Sequence, residues 1–189
     1  IEQLSTSIGT FNMKEYVELF KNPVKVSINK TEDRALWMAE GIYDNIKSRK
    51  GRDWNKVYWD TLGGVVCEEG VASLCGELNT QEFDVTDRST YGWDVMSKFG
   101  HKIEVKRHKE IWYSFYQTAV NTLHNSIEAK AFDYIVTASY EKFTDHYLVR
   151  PRLIIEPLTF RKYTRDSKYS TGLYYDHYAA KGKNQCIIF

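Results

Sequence analysis

Cysteine, proline and long apolar runs are all scarce in this chain. The three cysteines, Cys67, Cys75 and Cys186, are odd in number and lack framework spacing. That excludes a disulfide scaffold and fits a reducing compartment. None stands in a Cys-x-x-Cys pair, so no structural zinc is expected. Only Pro23, Pro151 and Pro157 occur, with no internal repeat, low-complexity tract or linker-like stretch. The 189 residues therefore read as one domain. No apolar run approaches the roughly 20 residues needed to cross a bilayer. No basic, then apolar, then small-residue leader follows Ile1, so the expected location is cytoplasmic or nucleoid-associated, away from membranes.

Hydrophobic residues make up 42% and charged residues 27%, ordinary values for a globular protein. The net charge of +1 hides an uneven distribution. Residues 150–183 hold eight Lys or Arg against three acids, a local net of +5. A second cluster runs Lys106-Arg107-His108-Lys109. Local basic surface is what a phosphate backbone requires, although alone it equally describes a solvated charged face. The candidate nucleic-acid contacts are Arg107, His108, Lys109, Arg150, Arg152, Arg161 and Arg165.

Apolar spacing predicts a helix over 31–48, with Thr31 as cap and Leu36, Ala39, Tyr43 and Ile46 on one face. Asp53 can cap a second helix over about 54–76, which carries Tyr58, Thr61, Val65, Glu68 and Ala72 on one side. Gly63-Gly64 weakens that helix unless another backbone packs closely against it. Strands are expected at Gln81–Val85, Tyr91–Ser97 and His101–Arg107, then a helix over Trp112–Ile127 and a buried strand over Phe132–Ser139. His146–Ile155 is a further strand, with Pro151 placing it near an edge. The polar tail beyond Pro157 is rich in tyrosine (Tyr163, Tyr169, Tyr174, Tyr175, Tyr178). Those rings are core, amphipathic surface or base-stacking platforms.

The informative stretch is Gly92 to Lys106. It reads as a hairpin closed by Lys98-Phe99-Gly100, with glycine in the left-handed third position. Ser97 then faces His101, and counting outward Asp94 faces Glu104. Directly opposed residues share a sheet face, and Glu104 and Lys106 are two apart on one strand. One surface thus collects Asp94, Glu104 and Lys106, with Trp93, Val95, Ile103 and Val105 on the reverse. Two like charges on a half-buried sheet are costly unless a cation lies between them. Hard oxygen ligands with positions left for water and phosphate suit Mg²⁺, with Mn²⁺ as a substitute. Asp94 and Glu104, with the backbone carbonyl of Val105, are the candidate ligands, and Lys106 is a candidate for stabilising charge in the transition state. A bare Glu-x-Lys is weak, because a chain this long contains about one by chance. The second copy, Glu128-Ala129-Lys130, has no acid on an adjacent strand. The five histidines show no metal-ligand spacing. His108 alone falls on the face of Glu104 and Lys106.

Asp94 followed by Glu104-Val105-Lys106 resembles the PD-(D/E)xK nuclease superfamily. Its restriction-endonuclease-like core runs helix, three strands, helix, strand, an α/β layout that matches the element order above. The resemblance covers about residues 54–139, leaving an N-terminal helical addition (1–50) and a C-terminal basic, Tyr-rich addition (140–189). Trp93 stands where the name-giving proline would be. The resemblance implies a further metal-site glutamate on the first core helix, for which Glu68 is the candidate and Glu69 the alternative. It also implies a polar residue on the helix after the third strand, Gln117 or Asn121, and a 5′-phosphate product. The expected activity is Mg²⁺-dependent endonucleolytic hydrolysis of DNA, with duplex as the expected form. A catalytically silent DNA- or protein-binding module, or a ribonuclease using the same site, stays open. So does a homodimer, since no feature marks an interface.

Overall fold

Asp53 accepts a hydrogen bond from the Lys56 amide at 2.7 Å and starts the central helix α4, Trp54–Cys75. The computed structural model describes residues 13–79, 92–107, 114–115, 117–128, 130–166 and 173–188. Ahead of α4 come α1 (Lys14–Phe20), β1 (Val24–Ser27), α2 (Ile28–Asp44) and α3 (Ile46–Arg49). After it come β2 (Gly76–Leu78), β3 (Val95–Ser97), β4 (Lys102–Arg107), β5 (Ser114–Phe115), α5 (Gln117–Glu128), β6 (Tyr134–Lys142) and β7 (His146–Ile155). The chain closes with α6 (Pro157–Lys162), β8 (Thr164–Asp166), β9 (Leu173–Tyr175) and β10 (Gln185–Ile187). None of the described helices is long and apolar enough to cross a membrane.

The main sheet has the order β1-β7-β6-β4-β3-β2, with β10 as a further partner of β7. β4 and β6 are parallel, and the other pairs are antiparallel. A parallel pair needs a crossover, and α5 lies in it. One face of the sheet carries Val95, Ile103, Val105, Val136 and Val149 in a core shared with α1, α2 and α4. The other carries Ile135, Leu153 and Ile155 in a second core, with Leu123 and Ile127 of α5 and Phe160 of α6. This is a mixed α/β architecture with helices on both faces. A small sheet, β5-β9-β8, stands apart from the main one.

Ser27, not Thr31, caps α2; Thr31 is fully buried and its hydroxyl donates to the Ser27 carbonyl at 2.5 Å. The buried stripe of α2 is Thr31, Ala35 and Ala39, while Leu36 and Ile46 are exposed. Small side chains let α2 lie close to α4, and a stripe read from the larger apolar residues misses that. The group nearest Gly63 is a side chain: a Cβ there would overlap the guanidinium of Arg107. β7 is not an edge strand, because β6 lies along one side and β1 and β10 share the other. Pro151 falls between the residues paired with β1 (146–149) and those paired with β10 (153–155), where its missing N–H leaves no ladder bond unmade. The N- and C-terminal segments thus both supply strands to the main sheet. Tyr175 is buried, stacked on Phe160 in the second core, and so is no base platform. The expected strand Gln81–Val85 lies outside the described residues.

Candidate active site

The hairpin β3–β4 has the register that its loop predicts. Val95 pairs with Ile103 and Met96 with Lys102, the Ser97 amide donates to the His101 carbonyl at 2.9 Å, and Gly100 has φ +81°. Continuing that register sets Asp94 opposite Glu104. The backbone ladder stops there. The Asp94 amide still reaches the Ile103 carbonyl at 2.9 Å, but the Val105 amide donates at 2.7 Å to the Asp94 carboxylate instead of to a backbone carbonyl. The carboxylate therefore lies against β4, where the next carbonyl of β3 would otherwise sit. The same break turns Trp93 into the second core, under the Lys102 ammonium, and not onto the face of Val95 as the alternation suggested.

Lys106 forms an ion pair with Glu104, its neighbour two residues back, and both are partly buried. Burial pushes the Asp94 carboxyl well above its usual range, and the charges of Glu104 and Glu68 push the same way; Lys106 and the Val105 amide oppose them. Burial alone would lower the Lys106 ammonium, but Glu104 and Asp94 outweigh it and hold its proton more firmly. Glu68 of α4 is raised by burial, opposed by Arg34 and reinforced by Glu104. Three carboxylates and one ammonium are thus close enough to perturb one another. Among the described residues no three His, Cys, Asp or Glu side chains converge on a single point as a metal-binding group. A cation here would be held by two carboxylates at most, with backbone oxygen and water completing its shell.

Glu68 and Glu69 are engaged by Arg34 of α2, at 2.9 and 3.5 Å. Glu69 is the more buried of the two and also lies 3.9 Å from the Lys30 ammonium. Glu68 is therefore the one on the side of Asp94 and Glu104. Arg34 is a participant that sequence reading missed. No local signal marks it, since the contact spans 34 positions and joins two helices.

The basic candidates separate. Arg107 turns away from Lys106, as adjacent strand residues must, and packs between Gly63 and the ring of Tyr140, 4.9 Å from its centroid. Arg161 is paired with Glu128 at 2.6 Å. Arg165 donates to the Lys162 carbonyl at 2.8 Å. Arg150 and Arg152 are half-buried on β7, and the Nε of Arg152 donates to the Ser139 hydroxyl at 2.9 Å. His108 and Lys109 lie outside the described residues. Gln117 and Asn121 stand on α5, but their side chains are outside the described set.

The family model for bacteriophage T4 endonuclease IV matches residues 4–177. The chain belongs to that family. No curated protein matches it. The T4 endonuclease IV family is a nuclease family, and the matched span includes β3, β4, α4 and every residue of the acidic cluster.

Proposed function

We propose that this member of the T4 endonuclease IV family is a metal-dependent endonuclease that hydrolyses DNA phosphodiester bonds, with a PD-(D/E)xK-type site at Asp94, Glu104 and Lys106. The observation that carries the reading is the break in the β3–β4 ladder. It brings the Asp94 carboxylate to the Val105 amide, beside the Glu104–Lys106 pair and within electrostatic reach of Glu68. The order α4, β2, β3, β4, α5, β6 supports the same reading, since it runs helix, three strands, helix, strand apart from the short β5.

The donor set fits Mg²⁺. This ion is held by one or two carboxylates, keeps several waters and accepts only oxygen ligands. Asp94 and Glu104 are those carboxylates, and the Val105 carbonyl is the third protein oxygen. Burial lifts the Asp94 carboxyl most, and the repulsion from Glu104 and Glu68 that adds to it is what a divalent charge would relieve. When bound, the ion supplies Lewis acidity at the phosphoryl oxygen and lowers the pKa of water. The protein's own groups do the rest. Lys106 stays protonated beside Glu104 and presents a fixed positive charge to the transition-state oxygens. The Val105 amide fixes the rotamer of Asp94. Glu68, held by Arg34, is a second-rank acid at the edge of the cluster and orients water. In-line attack by water would leave the phosphate on the 5′ side, as in similar PD-(D/E)xK enzymes.

The test is incubation of the full chain with plasmid, linear duplex, single-stranded and branched DNA, and with RNA, in Mg²⁺, in Mn²⁺ and in EDTA. The reading expects internal cuts in DNA with either metal and none in EDTA. Cleavage of RNA alone, or undiminished cleavage in EDTA, would overturn it.

A further inference from the structure

The pairing of β6 with β7 slips by one residue in the middle. Thr137 pairs with Leu153, yet the next residue, Ala138, pairs with Pro151. Arg152 is the extra residue of a β-bulge, a device that bends a strand and re-aims a side chain. Pro151 stands at the slip, between the segments of β7 that pair with β1 and β10. Ser139 stands between Ala138 and Tyr140, which pack toward α4, so its hydroxyl lies on the opposite face, and the Nε of Arg152 reaches it at 2.9 Å. The bulge thus aims Arg152 at the sheet face opposite α4.

That is the face of Glu104 and Lys106, since Ile103 and Val105 between and beside them pack toward α4. Parallel register sets Lys106 beside Thr137, and antiparallel register sets Ser139 opposite Arg150. One surface therefore runs from Lys106 on β4, across Thr137 and Ser139 on β6, to Arg150 and Arg152 on β7. Strands lie about 4.8 Å apart, so the arginines are about 10 Å from the catalytic strand. Thr137 is fully buried on this path, and its hydroxyl has no hydrogen-bond partner among the described residues. No carboxylate among the described residues pairs with Arg150. A buried hydroxyl without a partner and an arginine without an acid are unfavourable features of an isolated sheet face. The arginine becomes favourably placed where an anion approaches.

We infer that Arg150 and Arg152, with Ser139 orienting the second guanidinium, bind a backbone phosphate of the substrate other than the one cleaved. The inference rests on the nuclease reading for the position of the cleaved bond, but binding can be measured without cleavage. Arg152 is a positioning residue: it fixes the strand relative to Lys106 and takes no part in bond breaking. Arginine suits the task because its planar fork matches two phosphate oxygens. Thr137 forms the floor between this subsite and Lys106.

The experiment uses the full chain in EDTA and DNA oligonucleotides, single-stranded and duplex, each carrying one uncharged methylphosphonate at a defined position. The wild type is expected to lose affinity when one particular phosphate is neutralised. Arg152→Gln is expected to bind the unmodified strand at least ten-fold more weakly and to be indifferent to that replacement. Its slope of log affinity against log salt should fall by about one. Arg152→Lys should recover part of the affinity, and Ser139→Ala should weaken binding about three-fold without touching charge. Lys21→Gln, whose ammonium pairs with Glu18, serves as the surface-charge control. With metal present, Arg152→Gln should raise KM and leave kcat within about three-fold. If Arg152→Gln keeps the wild-type methylphosphonate profile, or if the wild type has no sensitive position, the subsite does not exist. Phosphate-dependent binding without any cleavage by the wild type would remove the nuclease reading and leave the subsite standing.

Discussion

The Asp94 carboxylate accepts the backbone N–H of Val105 at 2.7 Å, and so replaces the ladder bond that β3 no longer makes. A side chain thereby closes the sheet where the backbone opens it. That single bond orients the acid, and the opening brings α4, through Glu68, within reach of the same spot.

Lys106→Ala is expected to abolish cleavage, a loss of at least 100-fold, while DNA affinity stays within a few-fold. One lysine supplies only a small part of a contact to many phosphates, whereas a charge aimed at the transition state acts on the rate alone. Single-turnover kinetics beside an equilibrium binding curve separate the two. Full activity in Lys106→Ala would remove it from the chemistry.

Asp94→Asn is expected to make the metal-free protein more stable and the metal-loaded one less so. Glu104 and Glu68 repel the buried Asp94 charge, and the amide removes that repulsion. Each kcal/mol relieved raises Tm by about 2–4 °C in a chain of this size. Mg²⁺ should raise the wild-type Tm by binding only the folded state, and Asp94→Asn should lose that increment. Scanning calorimetry with and without Mg²⁺ reads both effects.

Arg34→Met leaves Glu68 and Glu69 beside each other without their shared guanidinium. The expected loss is on the order of 2–3 kcal/mol, as for removing one partner from a partly buried ion pair. Glu69→Gln in the same background should recover much of it, because one of the two stranded charges is gone. Urea unfolding midpoints test this, and an unchanged midpoint in Arg34→Met contradicts it.

Glu32 ties α2 to β6 and β7, accepting from the Lys142 ammonium at 2.9 Å and the Tyr147 hydroxyl at 2.8 Å. These two bonds hold its carboxyl below the usual range. A carboxyl depressed in the folded state stabilises above its unfolded pKa, near 4.3, and that stability is lost as pH falls through the folded value. Glu32→Gln should therefore lower Tm at pH 7, and the difference should shrink as pH falls below about 4.3 and vanish once the folded carboxyl is protonated. A gap that stays constant as pH falls from 7 through the acid range would assign the effect to packing.

The hairpin was legible because its cause is local. A three-residue loop ending in Gly100 sets the register, and the register sets Asp94 against Glu104 without reference to the rest of the chain. The long helix was legible for the same reason, through Asp53 and the apolar spacing behind it. Features that depend on distant partners were not. β1 is four residues long and exists because β7, some 120 positions later, pairs with it. The Arg34 bridge and the Arg152 bulge likewise depend on how α2 meets α4 and how β6 meets β7. Pro151 pointed to an edge strand, and β7 is not one: it is flanked on both sides, and the proline is accommodated in the gap between two short partners.

The most direct measurement of the central claim is anomalous diffraction from a crystal soaked in Mn²⁺. The account expects a peak between Asp94 and Glu104, with one oxygen of each at about 2.1 Å, and its loss in Glu104→Ala. A well-ordered site with no peak there, or with the two carboxylates more than about 8 Å apart and so beyond sharing one ion, would contradict it.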